Sequence, residues 1–198
     1  MDQHKTHKKT FLRVLAVNLV IFILELAVAL YSGSLMMLSD SFHLFIHVIG
    51  SAVAYASEFE FLGLAGEEIK KYTSLTNVVL FFVTVVIITV GAIGRLSNPP
   101  ELKIGWSYFT VAFLGLAGNI YGANVLHRID DHECALNINP LYWCMVVDAL
   151  SSVIVIMGAL AIKHTGILVL DPALSFVLVA LMIWRGWKML NTTLGRKS

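Results

Sequence analysis

The chain alternates between long apolar runs and short polar breaks. Six of the runs are long enough to cross the apolar core of a bilayer, which is about 30 Å thick and needs roughly 20 helical residues. They are Phe11–Tyr31, Leu35–Ala56, Leu75–Leu96, Ile104–Leu126, Leu141–Ile162 and Gly166–Met189. Because the runs are continuously apolar and do not alternate, they predict helices and not barrel strands. The pattern predicts an all-α, multi-pass integral membrane protein built as a bundle of six transmembrane helices.

The composition agrees with a chain that lies in a lipid bilayer. Of its 198 residues, 58% are hydrophobic and only 14% are charged, whereas soluble domains have about 45–50% and about 25%. The net charge of +1 gives no indication of nucleic-acid binding. We find no nucleophile–base pair and no phosphate-binding loop, so the chain is not predicted to be an enzyme.

The basic residues predict how the bundle is oriented. Counted by the side on which they fall, eleven lie on one side and three on the other. The larger group is Lys5, Lys8, Lys9, Arg13, Lys70, Lys71, Arg128, Arg185, Lys188, Arg196 and Lys197, and the smaller is Arg95, Lys103 and Lys163. Because cytoplasmic loops carry the excess of Lys and Arg, both termini are predicted to be cytoplasmic.

The second apolar run carries ionisable side chains, which a membrane helix tolerates only where they meet polar partners. At 100° per residue, His43 and His47 lie about 40° apart around the helix, and Asp40 lies about 20° from His47. The three side chains therefore point the same way. We interpret them as candidate metal ligands; the alternative is hydrogen bonding to a neighbouring helix.

The fifth run carries a second pair at the same spacing, Cys144 and Asp148. Two helices that each present two donors at i and i+4 can close a four-coordinate metal site between them. For Cys144 the alternative is simple packing, because buried cysteines often behave as small hydrophobic residues. Glu25 and Asp171 are further intramembrane carboxylates, for which interhelical hydrogen bonding, a proton pathway and a metal vestibule all remain open. For Asp171, which precedes Pro172, capping of the N-terminus of its own helix is a further alternative.

Five segments, in order and at matched spacing, resemble the cation diffusion facilitator family of zinc and related metal/proton antiporters. They are YSGSLMMLSDSFH ending at His43, LTNVVL from Leu75, RLSNPPE from Arg95, DALSSV from Asp148 and DPALS from Asp171. The resemblance implies a six-helix bundle of the cation efflux type. It also implies a homodimeric exporter with a tetrahedral metal site between helices two and five.

In zinc-type members each of these helices commonly supplies His and then Asp. Here the four positions read His43, His47, Cys144 and Asp148, so His47 stands where Asp is usual and Cys144 where His is usual. The total charge of the ligands is preserved at −2, because a metal-bound thiol is deprotonated. If Cys144 stays a thiol, Asp40 is the nearest residue that restores the charge. We therefore keep Asp40 and Asp171 as possible secondary ligands.

Two imidazoles, a thiolate and a carboxylate suit Zn²⁺, and the sulfur helps Cd²⁺ or Co²⁺ to compete. Mg²⁺ and Ca²⁺ prefer oxygen ligands and are disfavoured. Metal binding needs neutral imidazoles and an ionised thiol, so loading releases protons. We predict that a divalent ion, carried as the substrate, leaves the cytosol in exchange for protons.

Most members of the family continue after the sixth helix into a cytoplasmic metal-binding domain. Here the chain ends at Ser198, so we expect residues 1–198 to form a single transmembrane domain and the C-terminal cytoplasmic domain to be absent. The substitutions at His47 and Cys144 leave an alternative, a non-transporting partner subunit or metal sensor. A bis-histidine haem protein is disfavoured, because both histidines lie on one helix.

Overall fold

The computed structural model describes residues 2–58, 66–130 and 138–194, and most side chains within 12–49, 75–124 and 145–191. These residues form six helices and no strand, which confirms the predicted all-α fold. In chain order they are α1 (Asp2–Ser32), α2 (Leu35–Glu58), α3 (Gly66–Ser97), α4 (Trp106–Asp130), α5 (Ile138–Thr165) and α6 (Leu170–Leu194).

Two glycines set the tight connections between helices. Gly33 separates α1 from α2 at φ 74°, and its N–H donates to the carbonyl of Ala29. Gly166 ends α5 in the same way at φ 71°, donating to Ile162. This left-handed conformation is the usual end of a helix and favours glycine. The short turn after Gly166 makes α6 begin at Leu170, four residues later than the sequence pattern predicts.

Helix α2 lies at the centre of the bundle, where it packs against α1, α3, α5 and α6. Helix α4 packs against α1 and α5, and α3 packs against α6. The largest apolar cluster among the described residues is formed by side chains from several helices, including Met36 of α2, Tyr108 of α4, Val155 and Ala159 of α5, and Leu178 of α6. Side chains on α2 are therefore in reach of four other helices.

The outer surface of the bundle is apolar, as a lipid-facing surface must be. On α3, for example, Val79, Val86 and Val90 are more than half exposed. Within the described residues, four helices contain apolar stretches long enough to cross a bilayer: Leu15–Ser32, Leu75–Ser97, Met145–Thr165 and Leu170–Lys188. Helix α2 has a shorter apolar stretch, Leu35–Ile49.

The beginning of α2 is held by a carboxylate from α6. Asp171 accepts hydrogen bonds from the backbone N–H groups of Leu35 (2.8 Å) and Met36 (3.2 Å) and from the Ser34 hydroxyl (2.7 Å). These N–H groups have no partner within the helix, and a negative charge at a helix N-terminus is favourable. Arg95 of α3 lies 3.8 Å from the same carboxylate. Asp171 therefore ties together the ends of α2, α3 and α6.

Replacing Asp171 with Ala removes these hydrogen bonds from a residue that is 1% exposed. We expect Asp171→Ala to lower the free energy of unfolding by about 2–4 kcal/mol, because buried donors lose a charged acceptor. Asp171→Asn, which keeps an acceptor oxygen, should lose less. The measurement is unfolding in mixed micelles, with Glu101→Gln at an exposed site as control. Equal stability of Asp171→Ala and the control would contradict the capping role.

Candidate metal site

Side chains of α2 and α5 converge inside the bundle. The Nε2 atom of His43 lies 3.2 Å from Oδ1 of Asp148, and Nε2 of His47 lies 3.2 Å from Oδ2. One ligand atom from each of the three residues lies within 4.8 Å of the others. His43 and Asp148 are each only 4% exposed. The i, i+4 spacing on α2 stacks the two imidazoles with ring centroids 5.2 Å apart, so both face Asp148.

Helix α6 contributes a cation to the same cluster. Nη1 of Arg185 hydrogen-bonds both Nε2 of His43 and Oδ1 of Asp148, and Nη2 lies 3.0 Å from Nε2 of His47. The guanidinium therefore contacts all three candidate ligands. By its position in the sequence, Arg185 is counted with the basic residues on one side of the membrane; in the structure the residue is 7% exposed and lies inside the bundle.

The signal that could have identified Arg185 is its position inside the sixth apolar run, where a charged side chain needs a buried partner. Treating it as an interfacial charge overlooked Asp148, which lies on another helix and 37 positions away in the sequence. The contact is non-local, so the sequence pattern alone does not say which residue is the partner of Arg185.

The contacts with Arg185 assign a tautomer to the two imidazoles. A guanidinium has five N–H donors and no acceptor, so wherever Arg185 hydrogen-bonds a ring, Nε2 accepts and the ring proton lies on Nδ1. The lone pairs that Arg185 engages are therefore the lone pairs that a metal ion would use. Oδ2 of Asp148 is buried and has no hydrogen-bond donor among the described residues. This set of acceptors fits a cation of higher charge than Arg185 alone.

Phe81 of α3 forms one wall of the site. Both imidazoles form T-shaped pairs with its ring, with centroid distances of 5.4 Å for His43 and 6.5 Å for His47. The guanidinium carbon of Arg185 lies 5.9 Å from the same ring centroid, which is within the range of a cation–π contact. Phe81 thus restricts the rings of α2 and gives the cation a second electron-rich surface.

Of the remaining candidate ligands, Asp40 and Asp171 have other partners. The side chain of Cys144 is outside the described residues, so its part in the site stays a prediction. Asp40 accepts hydrogen bonds from the hydroxyls of Ser151 (2.6 Å) and Ser152 (3.0 Å) on α5, and the three-residue metal-type cluster does not include it. Asp171 binds the beginning of α2, as described above.

A small cavity adjoins the site. Its lining consists of Glu25, Asp40, His43, Leu44, Asn119 and Asp148. Glu25 of α1 is 2% exposed, and its Oε2 has no hydrogen-bond donor among the described side chains. The carboxyl group fits against the backbone of α4 because residue 115 is glycine: a Cβ there would lie 2.1 Å from Oε1 of Glu25. Buried hydrogen-bond acceptors therefore extend from the site on α5 and α2 to the carboxyl group of Glu25 on α1.

A family model described as the cation efflux transmembrane domain matches residues 11–59 and 67–195. The chain is 31% identical over 163 residues to a "Cadmium, cobalt and zinc/H(+)-K(+) antiporter" of Bacillus velezensis, covering 81% of this chain and 51% of the relative. It is 27% identical over 191 residues to the "Metal cation efflux system protein CzcD" of Cupriavidus metallidurans, covering 91% and 58%. Against a "Zinc transporter ZitB" of Yersinia pseudotuberculosis it is 26% identical over 193 residues, covering 94% and 61%. The chain thus spans little more than half the length of these curated relatives.

The close fit of Glu25 against Gly115 gives a test of the packing beside the site. A helical Gly→Ala change normally stabilises by about 0.5–1 kcal/mol. At Gly115 we expect instead a loss of about 1–3 kcal/mol, because the new methyl group displaces a buried carboxyl. Gly94→Ala is the matched control, since its Cβ would meet nothing within 4 Å.

The double variant Glu25→Ala/Gly115→Ala should recover part of the loss, giving a coupling energy of about 1 kcal/mol or more. All variants are compared by unfolding in mixed micelles. If Gly115→Ala is as stable as Gly94→Ala, or if the two changes simply add, the described contact is wrong.

Proposed function

Because the chain belongs to the cation efflux family, we propose that it carries divalent metal ions across a membrane, with Zn²⁺ as the preferred substrate and Cd²⁺ or Co²⁺ as alternatives. The observation that carries the proposal is the buried convergence of His43, His47 and Asp148 from two neighbouring helices. In a bilayer such a cluster of acceptors is costly unless it binds a cation. The names of the relatives, which include zinc, cadmium and cobalt, support the same class of substrate.

We propose Cys144 as the fourth ligand, one helical turn before Asp148. Two neutral imidazoles and one carboxylate supply a charge of only −1. A thiolate brings the total to −2, which neutralises a divalent ion. The four-residue spacing supports this assignment, since it directs both side chains of α5 to one face.

We further propose that protons are the exchanged ions and that both termini are cytoplasmic. A metal ion and a proton compete for Nε2 of His43 and of His47, so protonation from the opposite side releases the metal. The excess of Lys and Arg at the chain ends and in the even-numbered loops supports the orientation. A homodimer is the assembly that the family resemblance implies.

A second function is favoured by one specific contact. Arg185 already neutralises Asp148 and engages both imidazoles, so a site closed permanently by this residue would make the chain a non-transporting partner subunit. The two functions differ in whether the purified protein moves metal by itself.

The decisive experiment is uptake of Zn²⁺, Cd²⁺ and Co²⁺ by proteoliposomes under an imposed pH gradient. We expect Zn²⁺ uptake in the wild type, and uptake at the level of empty liposomes for His43→Ala and Asp148→Ala, since each removes a ligand. His164→Ala, at an exposed position near the end of α5, is the matched control and should transport normally. Uptake that ignores the pH gradient would contradict proton exchange, and active ligand variants would contradict the site.

The fourth ligand is tested by changing Cys144. Cys144→Ser should weaken Cd²⁺ binding more than Zn²⁺ binding, because the softer ion gains more from sulfur. Cys144→His should retain Zn²⁺ binding and reduce the preference for Cd²⁺. Competition titrations in detergent give the ratio of the two dissociation constants, and an unchanged ratio in both variants would exclude Cys144 from the site.

A further inference from the structure

Helix α6 supplies the only cation among the described residues that contacts His43, His47 and Asp148. Arg185 reaches the cluster with both terminal nitrogens, and its contacts use Nε2 of each imidazole together with Oδ1 of the carboxylate. We propose that Arg185 is a tethered competitor of the metal ion: its guanidinium must leave the cluster before a divalent cation can bind there. This inference rests on the proposed function of the site.

The competition follows from the lone pairs. Each imidazole has one lone pair, at Nε2 in the tautomer described above, and it can be shared with an N–H group or with a metal ion but not with both. Arg185 engages that lone pair on both rings. Charge leads to the same conclusion, because a divalent ion and a guanidinium in contact with the same carboxylate would repel each other with little water between them.

The geometry also provides a route for the side chain to leave. Arg185 lies nine residues before the last residue of α6, Leu194, which corresponds to about 13 Å of helix. A long arginine side chain can reorient towards the nearer interface while its methylene groups remain in apolar surroundings. The exposed Trp184 and Trp187 flank it in the sequence and indicate that this part of α6 approaches the interface.

A tethered competitor lowers the apparent affinity for the metal ion. The factor is the fraction of molecules in which the competitor has left the site. That fraction is the same for every metal, so the factor should be the same for Zn²⁺ and Co²⁺. Weakly bound ions are then excluded because their apparent dissociation constants rise above the available concentrations. Arg185 would set the threshold of affinity, whereas the ligand atoms would set the order among the metals.

The test compares metal binding by the purified full chain and its variants in detergent micelles, by calorimetry with Zn²⁺ and by absorbance with Co²⁺. We expect Arg185→Gln to bind both ions at least about tenfold more tightly than the wild type, with the same factor for each. Arg185→Lys keeps the buried charge and the fold but lacks the planar guanidinium. Its gain in metal affinity should be smaller than that of Arg185→Gln. Lys188→Gln, one turn further along α6 and stacked over Trp184, is the matched control and should bind as the wild type does.

Free guanidinium gives the readout that a purely structural residue would not affect. In Arg185→Ala, millimolar ethylguanidinium chloride should weaken Co²⁺ binding severalfold, while sodium chloride at the same concentration should not. The wild type should show no such difference, because its own guanidinium already competes.

The competitor role of Arg185 would be contradicted if both Arg185→Gln and Arg185→Lys bound metal no more tightly than the wild type. If the wild type still bound metal, the proposed transport site would remain in place. Absence of metal binding in the wild type and in every variant would overturn both. A gain for one metal only would also reject simple competition.

Discussion

The bundle depends on balancing the charge of Asp148 in surroundings that exclude water. At an effective dielectric constant of 20, two opposite unit charges 4 Å apart attract by about 4 kcal/mol, and breaking a buried pair costs about 3–5 kcal/mol. Asp148 is 4% exposed, so it must always have a cation or a proton beside it. The imidazoles of α2 and the guanidinium of α6 surround Asp148 and meet this requirement, and Phe81 of α3 packs against them. The same requirement makes an exchange of cations possible, since any ion that leaves must be replaced.

The helices and part of the site follow from local patterns in the sequence. Apolar runs of about 20 residues predict the six helices, and the i, i+4 spacing correctly brings His43 and His47 to one face. The same reasoning placed Asp40 on that face, but it could not foresee that the hydroxyls of Ser151 and Ser152 hold its carboxylate. Which of several polar residues on a helix face meet each other depends on the neighbouring helix.

Arg185 and Asp171 illustrate this limit most clearly. Each lies in a segment whose local pattern suggests an ordinary role, an interfacial charge for one and an intrahelical cap for the other. In the folded chain Asp171 caps a different helix, with backbone partners 135 and 136 residues away, and Arg185 has its closest partners on α2 and α5. Single-helix periodicity says which face a residue occupies, but it does not say which helix that face meets.

The hydrogen bonds between Asp171 and the beginning of α2 also form a fulcrum, a fixed point about which α6 can tilt. Asp171 fixes α6 to the end of α2 from which the histidine-bearing face extends, and Arg185 lies 14 residues further along α6, about 21 Å from that point. A tilt of about 5° around the pinned end would carry residue 185 sideways by about 2 Å, which exceeds the tolerance of a hydrogen bond. A small rigid rotation of one helix is therefore enough to uncouple it from the ligand atoms, and the apolar packing around the fulcrum need not be rebuilt.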